Sequence, residues 1–303
     1  MLLWFDRNGK QVEQVGSPSI YSNIELSRDG HRVAADMQVN GNRDIWVIDL
    51  ARAVPSRLTF DPASDLTPVW APDGSRIAFT SSRGESFTSP NKIYQKSSNG
   101  IGAEELLFTG NSGEPVLPRD WSSERRYIIF TRASLSTNDL WVLRFFGDRK
   151  PYPFLQSSFQ KGQVRLSLDG RWLAYTTNES GAYQIVVQTF PDPSGGKWQV
   201  TAKGGMEPKW RRDGRELYYL GLDGKLMAAP VTGDRTFQVG QPVPLFQTTL
   251  TVSPTPNFSR YDVTADGRRF LVISPSTSSP GATNSAPITA VVNWTAALNK
   301  RNK

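Results

Sequence analysis

Apolar residues recur with strand periodicity in six stretches of the chain. Aligned on a shared turn, these are LSRDGHRVAA from Leu26, WAPDGSRIAF from Trp70, WSSERRYIIF from Trp121, LSLDGRWLAY from Leu166, WRRDGRELYY from Trp210 and VTADGRRFLV from Val263. The turn glycine, or its substitute, falls at 30, 74, 125, 170, 214 and 267, at spacings of 44, 51, 45, 44 and 53 residues. Three residues after it stand Val33, Ile77, Ile128, Leu173, Leu217 and Phe270; five after it stand Ala35, Phe79, Phe130, Tyr175, Tyr219 and Val272. Apolar positions two apart mark a strand. The intervening residues (Ala34, Ala78, Ile129, Ala174, Tyr218, Leu271) are also largely apolar, so this strand is expected to be covered on both faces, as in stacked sheets.

A third strand follows in most copies: DIWVID from Asp44, KIYQK from Lys92, DLWVL from Asp139, QIVVQ from Gln184 and KLMAA from Lys225. A short fourth follows as SRLTF from Ser56, EELLF from Glu104, KWQVT from Lys197 and VPLFQ from Val243. Four antiparallel strands per repeat of about 45 residues predict an all-β fold, a propeller of four-stranded blades. Six blades are expected, with seven as the alternative. The N-terminal LLWFDR and KQVEQV form a hairpin around Asn8-Gly9 that matches the outer half of a blade. It is expected to complete the last blade and to close the ring with the C-terminal ITAVVNW from Ile288; the alternative is a further blade whose inner strands lie upstream. Residues 1–303 thus read as one domain, with a Ser/Pro/Thr-rich flexible loop over 274–287.

Composition adds exclusions. There is no cysteine and one histidine, which removes disulfides, thiolate chemistry and a multi-histidine metal site. The net charge of +7 comes from scattered residues. The densest clusters, Lys209-Trp210-Arg211-Arg212 and Lys300-Arg301-Asn302-Lys303, are too short to point to nucleic acid. No segment approaches the ~20 apolar residues of a membrane span, and MLLWFDRNGK lacks the form of a secretory signal. A monomer is expected.

No catalytic set emerges. The chain has no G-x-S-x-G elbow and no kinase glycine loop, HRD or DFG set. His31 occupies the position that Ser75, Arg126, Arg171, Arg215 and Arg268 take in other copies, so it fills a turn. SLDGRW from Ser167 lacks the extra residue of the sialidase turn motif, and paired glycosidase carboxylates have no supporting motif. Asp29, Asp73, Asp169, Asp213 and Asp266 fall one per blade, too far apart for one ion. Neither a metal nor a cofactor is expected. Ala71-Pro72-Asp73-Gly74 fits a type I turn, and Arg125 must adopt a left-handed conformation at ~1 kcal/mol or change the turn.

One column does not read as structural. Five residues before each turn glycine, in the innermost strand, stand Glu25, Val69, Asp120, Arg165, Lys209 and Asp262. Charges are rarely buried unless paired or facing water. These six positions are expected to ring the central channel and form a candidate ligand-binding site for a peptide end or small ligand; salt bridges tying blades together are the alternative. The loops Ser81–Pro90, Thr109–Pro118 and Ser274–Pro287 are the other candidate recognition elements.

The stretch Trp70 to Phe79 followed by Ile93-Tyr94 resembles the WD-like repeat of TolB-type β-propellers, and this resemblance covers nearly the whole chain. LLWFDRNGK, NRDIWVIDLAR, GDRKPYPFLQ, GGKWQV, PKWRRDGRELYYL and VVNWTAALNK are similar to the propeller that follows the kinase domain and membrane segment of some bacterial serine/threonine protein kinases. The resemblance implies a six-bladed fold and a non-enzymatic sensing or protein-interaction role, with a protein or peptide partner, outside the membrane in the periplasm. TolB-like propellers also cap prolyl-oligopeptidase-like hydrolases, so a gating propeller is the alternative, and a propeller glycosidase or lyase a further one.

Overall fold

The computed structural model describes residues 1–85, 90–134, 137–233 and 236–275. Six antiparallel sheets follow one another around a central axis. Blade 1 runs Ile20–Leu26, Arg32–Val39, Asn42–Asp49 and Val54–Arg57 from the axis outward. Blade 2 is Asp65–Trp70, Arg76–Ser81, Lys92–Ser97 and Glu105–Thr109; blade 3 is Val116–Trp121, Tyr127–Ala133, Asn138–Arg144 and Tyr152–Leu155. Blade 4 is Lys161–Leu166, Trp172–Thr177, Gln184–Thr189 and Lys197–Gln199; blade 5 is Met206–Trp210, Glu216–Leu220, Lys225–Thr232 and Val243–Gln247. Blade 5 also carries a two-strand excursion, Gln238–Val239 pairing with Val231 and Thr232, which the sequence pattern did not predict.

Blade 6 joins the two ends of the described chain. Its inner strands Tyr261–Val263 and Arg269–Ile273 are continued by Leu2–Asp6 and Gln11–Val15. Leu2 pairs with Ile273 and Asp6 with Arg269. This is the expected clasp, made by the N-terminal hairpin; the ITAVVNW stretch lies outside the described residues, as does most of 274–287. The clasp thereby pairs the second strand of blade 6, which would otherwise present an open edge, with the N-terminal strand.

Six apolar clusters hold the ring together, one at each blade–blade interface. Between blades 3 and 4, for example, Ile129, Leu140 and Val142 pack against Val164, Leu173 and Tyr175. Because every sheet packs on both sides, the second strands are apolar at consecutive positions: Ile77, Ala78 and Phe79 are all fully buried. The fourth strand of blade 1 ends at Arg57 rather than at Phe60. Leu58 turns into the interface, its N–H on the Ile45 carbonyl, and leaves Phe60 exposed.

The repeat turns behave as their chemistry dictates. Gly74 donates to the Ala71 carbonyl at 2.8 Å, and Asp73 accepts from the Ser75 N–H and hydroxyl. The same carboxylate-to-N–H contact, two residues on, recurs at Asp29, Asp169, Asp213 and Asp266, so these aspartates shape the bend. The hydrogen bond from the Ser75 hydroxyl is the largest of the contacts that hold the Asp73 carboxyl below its ordinary value. Arg125 adopts the left-handed conformation, with φ of 59°, and His31 is an exposed turn residue.

Candidate functional site

Five of the six innermost strands reach the axis through a backbone irregularity. Register shifts interrupt the pairing of the first two strands in blades 1 to 5, and in three of them a side-chain-bearing residue is left-handed: Thr67, Gln163 and Glu207. Such bulges re-aim side chains and cost strain that the surroundings must hold. The holding contacts come from the preceding blade: Asp36 accepts from the Thr67 N–H, and the Gln163 side-chain oxygen accepts from the Glu207 N–H.

Beyond the bulges, the charged column converges. Glu25, Asp120, Arg165, Lys209 and Asp262 line one well on the axis, together with Ser27, Arg28, Leu168 and Arg212. The well holds about 160 Å³ and opens on the face of the repeat turns. Val69, the uncharged member, is buried and borders a much smaller void of about 20 Å³ on the other side. That void has room for one water molecule.

The ring pairs internally. Arg165 Nη2 lies 3.9 Å from Glu25 Oε2, and Lys209 Nζ 3.4 Å from Asp262 Oδ1. Asp120 accepts from the Leu166 N–H of the next blade at 2.6 Å, and Asp262 from the Leu26 N–H at 2.8 Å. Trp70 and Trp210 donate their indole N–H groups to the carbonyls of Glu25 and Arg165. The column thus ties neighbouring blades together as well as facing the well. In both ion pairs one atom lacks a hydrogen bond: Glu25 Oε2 and Lys209 Nζ are buried, face an opposite charge, and have no hydrogen-bond partner.

Electrostatics follow from depth. Burial, opposed chiefly by Arg165, pushes the Glu25 carboxyl up to about 8. Burial likewise raises Asp120. Burial and then repulsion from Arg165 lower the Lys209 ammonium, although Asp262 and Glu25 favour its charge. Burial opposes the Arg165 charge too, but Glu25, Asp120 and Asp262 outweigh it and leave that group raised. The well therefore presents a donor and an acceptor whose charges are weakly held.

The opposite mouth is closed by the chain itself. The connection from blade 5 to blade 6, residues 248–260, folds over the axis. Arg119 donates to the carbonyl and side-chain oxygen of Asn257, both at 2.8 Å. Gln163 donates to the Phe258 carbonyl, and Ser259 donates its N–H to the Asn23 side-chain oxygen and accepts from the Ile24 N–H. Glu207 accepts from the Arg260 N–H and side chain. Burial and the nearby Arg165 bring Arg119 down to about 9.

Sequence reasoning did not assign Arg119, Gln163, Glu207 or this plug. A signal was available in the 53-residue spacing between turns 214 and 267, against 44 or 45 for three other gaps. Of the loops singled out in the sequence, Thr109–Pro118 and the described ends of Ser81–Pro90 sit on the plugged side, since strand-2-to-3 and blade-to-blade connections emerge opposite the repeat turns; Ser274–Pro287 lies mostly outside the described residues. Thr109–Pro118 also contracts, because its flanking strands leave only 110–115 between them.

Comparison with known proteins agrees with this architecture. Residues 8–160 match the family described as the TolB beta propeller domain. The Tol-Pal system protein TolB of Helicobacter pylori is 23% identical over 169 residues, 53% of this chain and 37% of that protein. The chain thus matches little more than a third of that relative's length. Among solved structures, a putative TolB from Agrobacterium tumefaciens aligns with a TM-score of 0.66 at 17% identity, covering 89% of this chain and 96% of the other. TolB from Acinetobacter baumannii aligns with a TM-score of 0.61 at 17% identity, over 91% and 64%. At these identities the structural likeness concerns the fold.

Proposed function

The chain belongs to the TolB beta propeller domain family, and from that premise we propose that it is a non-catalytic protein-interaction module that receives its partner at the axial well. One observation carries the reading: a half-open well on the axis holds two buried, hydrogen-bond-free polar atoms, Glu25 Oε2 and Lys209 Nζ. Unpaired buried polar atoms are costly, and a ligand that supplies an N–H or O–H to one and an oxygen to the other removes the cost. A peptide end or a small polar ligand has both.

In this reading five of the six ring positions, Glu25, Asp120, Arg165, Lys209 and Asp262, are the recognition floor, with Val69 outside the well, and the protein serves as the sensing or scaffolding part of an envelope signalling protein, such as a receptor-type serine/threonine kinase, outside the cytoplasm. No helix of the described residues is long and apolar enough to cross a membrane. A gating role for a hydrolase by passage along the axis is disfavoured, because residues 248–260 cover one of its mouths.

The test is capture from an envelope extract by the immobilised protein, with captured proteins identified by mass spectrometry. A specific partner is expected to be retained by the wild type and lost on Lys209→Met and Glu25→Gln, both checked for folding by circular dichroism. Retention by both variants would remove the well from the reading. Absence of any specific partner would remove the interaction role.

A further inference from the structure

The axial well has a neighbour at its rim. A groove of about 790 Å³ lies between blades 4 and 5 on the same face. Leu168, Trp210 and Arg212 line both spaces, so the groove adjoins the rim of the well. Together they have the capacity of a ligand site for something larger than a single side chain.

The charges along this path are unbalanced in one direction. Its acidic turn residues are already matched: Asp169 with Arg171 at 2.6 Å, and Asp213 with Arg211 at 2.6 Å. By contrast Arg28, Arg212 and Arg215 make no ion pair among the described residues; Arg212 donates to the Arg28 carbonyl at 3.1 Å. Three cations outside any ion pair thus border the two adjoining spaces, although Arg28 still favours the Asp120 charge and Arg215 that of Asp213. At its closed end Lys209, only 4% exposed, has no hydrogen-bond acceptor, and Glu25 Oε2 has no donor.

Resting on the reading of the well as a binding site, we propose that the well and the blade 4–blade 5 groove form one site for an extended acidic peptide segment. An amide or chain end sits between Lys209 and Glu25, and carboxylates along the segment meet Arg212, Arg215 and Arg28. Arginine forks suit carboxylates, and exposed Leu168 offers an apolar step between the two spaces. A nucleic acid is a poorer match, because three unpaired cations fall short of the six to ten phosphate contacts that roughly characterise such binding.

The probe is a fluorescein-labelled hexaglutamate, with labelled hexalysine beside it, titrated with the whole protein and read by fluorescence anisotropy. Hexaglutamate is expected to bind and hexalysine not. Arg212→Glu/Arg215→Glu should weaken the acidic probe by about tenfold at low salt and by less at high salt. Arg52→Glu/Arg268→Glu, exposed residues outside the groove with the same change in net charge, should leave it within about twofold. Equal weakening by both pairs would reduce the effect to overall charge and overturn the groove. Tighter binding of an oligogalacturonate than of hexaglutamate would overturn the peptide assignment. Lys209→Met separates the two readings: loss of hexaglutamate there with an unchanged groove variant removes the groove and keeps the well, whereas binding unchanged in both removes both.

Discussion

Glu25 should make the protein less stable as the pH rises through neutrality. Its carboxyl is buried beside the axis, with Arg165 3.9 Å away and no hydrogen bond to Oε2. Burial lifts it from 4.5 to about 8. Between those values the folded protein binds a proton that the unfolded chain releases. Stability contributed by this group is therefore full below about pH 4.5 and is lost as pH rises toward 8. At about 1.4 kcal/mol per pH unit, the loss is on the order of 5 kcal/mol over the window. Glu25→Gln keeps the shape and cannot ionise. Urea denaturation of both proteins at half-unit steps from pH 4.5 to 9 reads the effect as a difference curve, since the other buried carboxylates contribute to both. The curves should nearly coincide at the acid end, and the variant should become increasingly the more stable one from about pH 5 up to about pH 8. A flat difference, or a wild type that gains on the variant as pH rises, would mean that Glu25 is ionised at low cost and that the well is wetter than its geometry implies.

Further outcomes follow from the plug and the turns. Asn257→Ala removes the oxygen that Arg119 Nη2 holds at 2.8 Å; leaving a buried guanidinium short of an acceptor should cost about 1.5–3 kcal/mol in urea denaturation. Gly162→Ala would place a Cβ 2.1 Å from the Pro256 carbonyl oxygen, so the melting temperature should fall and hydrogen exchange should quicken at the Ser259 and Ile24 amides, which fasten the plug; unchanged exchange there would show that the plug is not seated on Gly162. Arg125→Gly relieves a left-handed side-chain-bearing residue and gives up only an exposed ion pair to Asp73, so it should be neutral or stabilise by up to ~1 kcal/mol in the same assay.

The blades were legible because their determinants are local. An Asp-Gly bend with apolar residues at fixed distances fixes two strands and their register, and repetition of that unit fixes the ring. The departure at Ser123-Glu124-Arg125 was legible for the same reason: a turn position that needs positive φ shows itself wherever glycine is missing. The charged column was legible too, since a charge in an otherwise apolar inner strand has few places to go. Which charges would meet was not. Glu25 finds Arg165 three blades along the chain and Lys209 finds Asp262 in the next blade, and such pairings depend on the diameter of the ring and on side-chain reach.

What the sequence by itself determined is therefore the repeating unit, its strands and bends, and the residue types presented to the axis. Only the tertiary structure decided what the axis became. The bulges at Thr67, Gln163 and Glu207 lie beside Pro68, Gly162 and Pro208, yet the left-handed residue is the side-chain-bearing one, and at Thr67 and Glu207 its backbone is held by Asp36 and Gln163 of the preceding blade. The plug is invisible for a similar reason: residues 248–260 have no strand pattern, and their place is set by Arg119, Gln163 and Glu207, which lie far away in the chain. A channel with two mouths follows from the repeats alone. A well with one mouth, and a lateral groove beside it, follows from contacts that form only once the ring has closed.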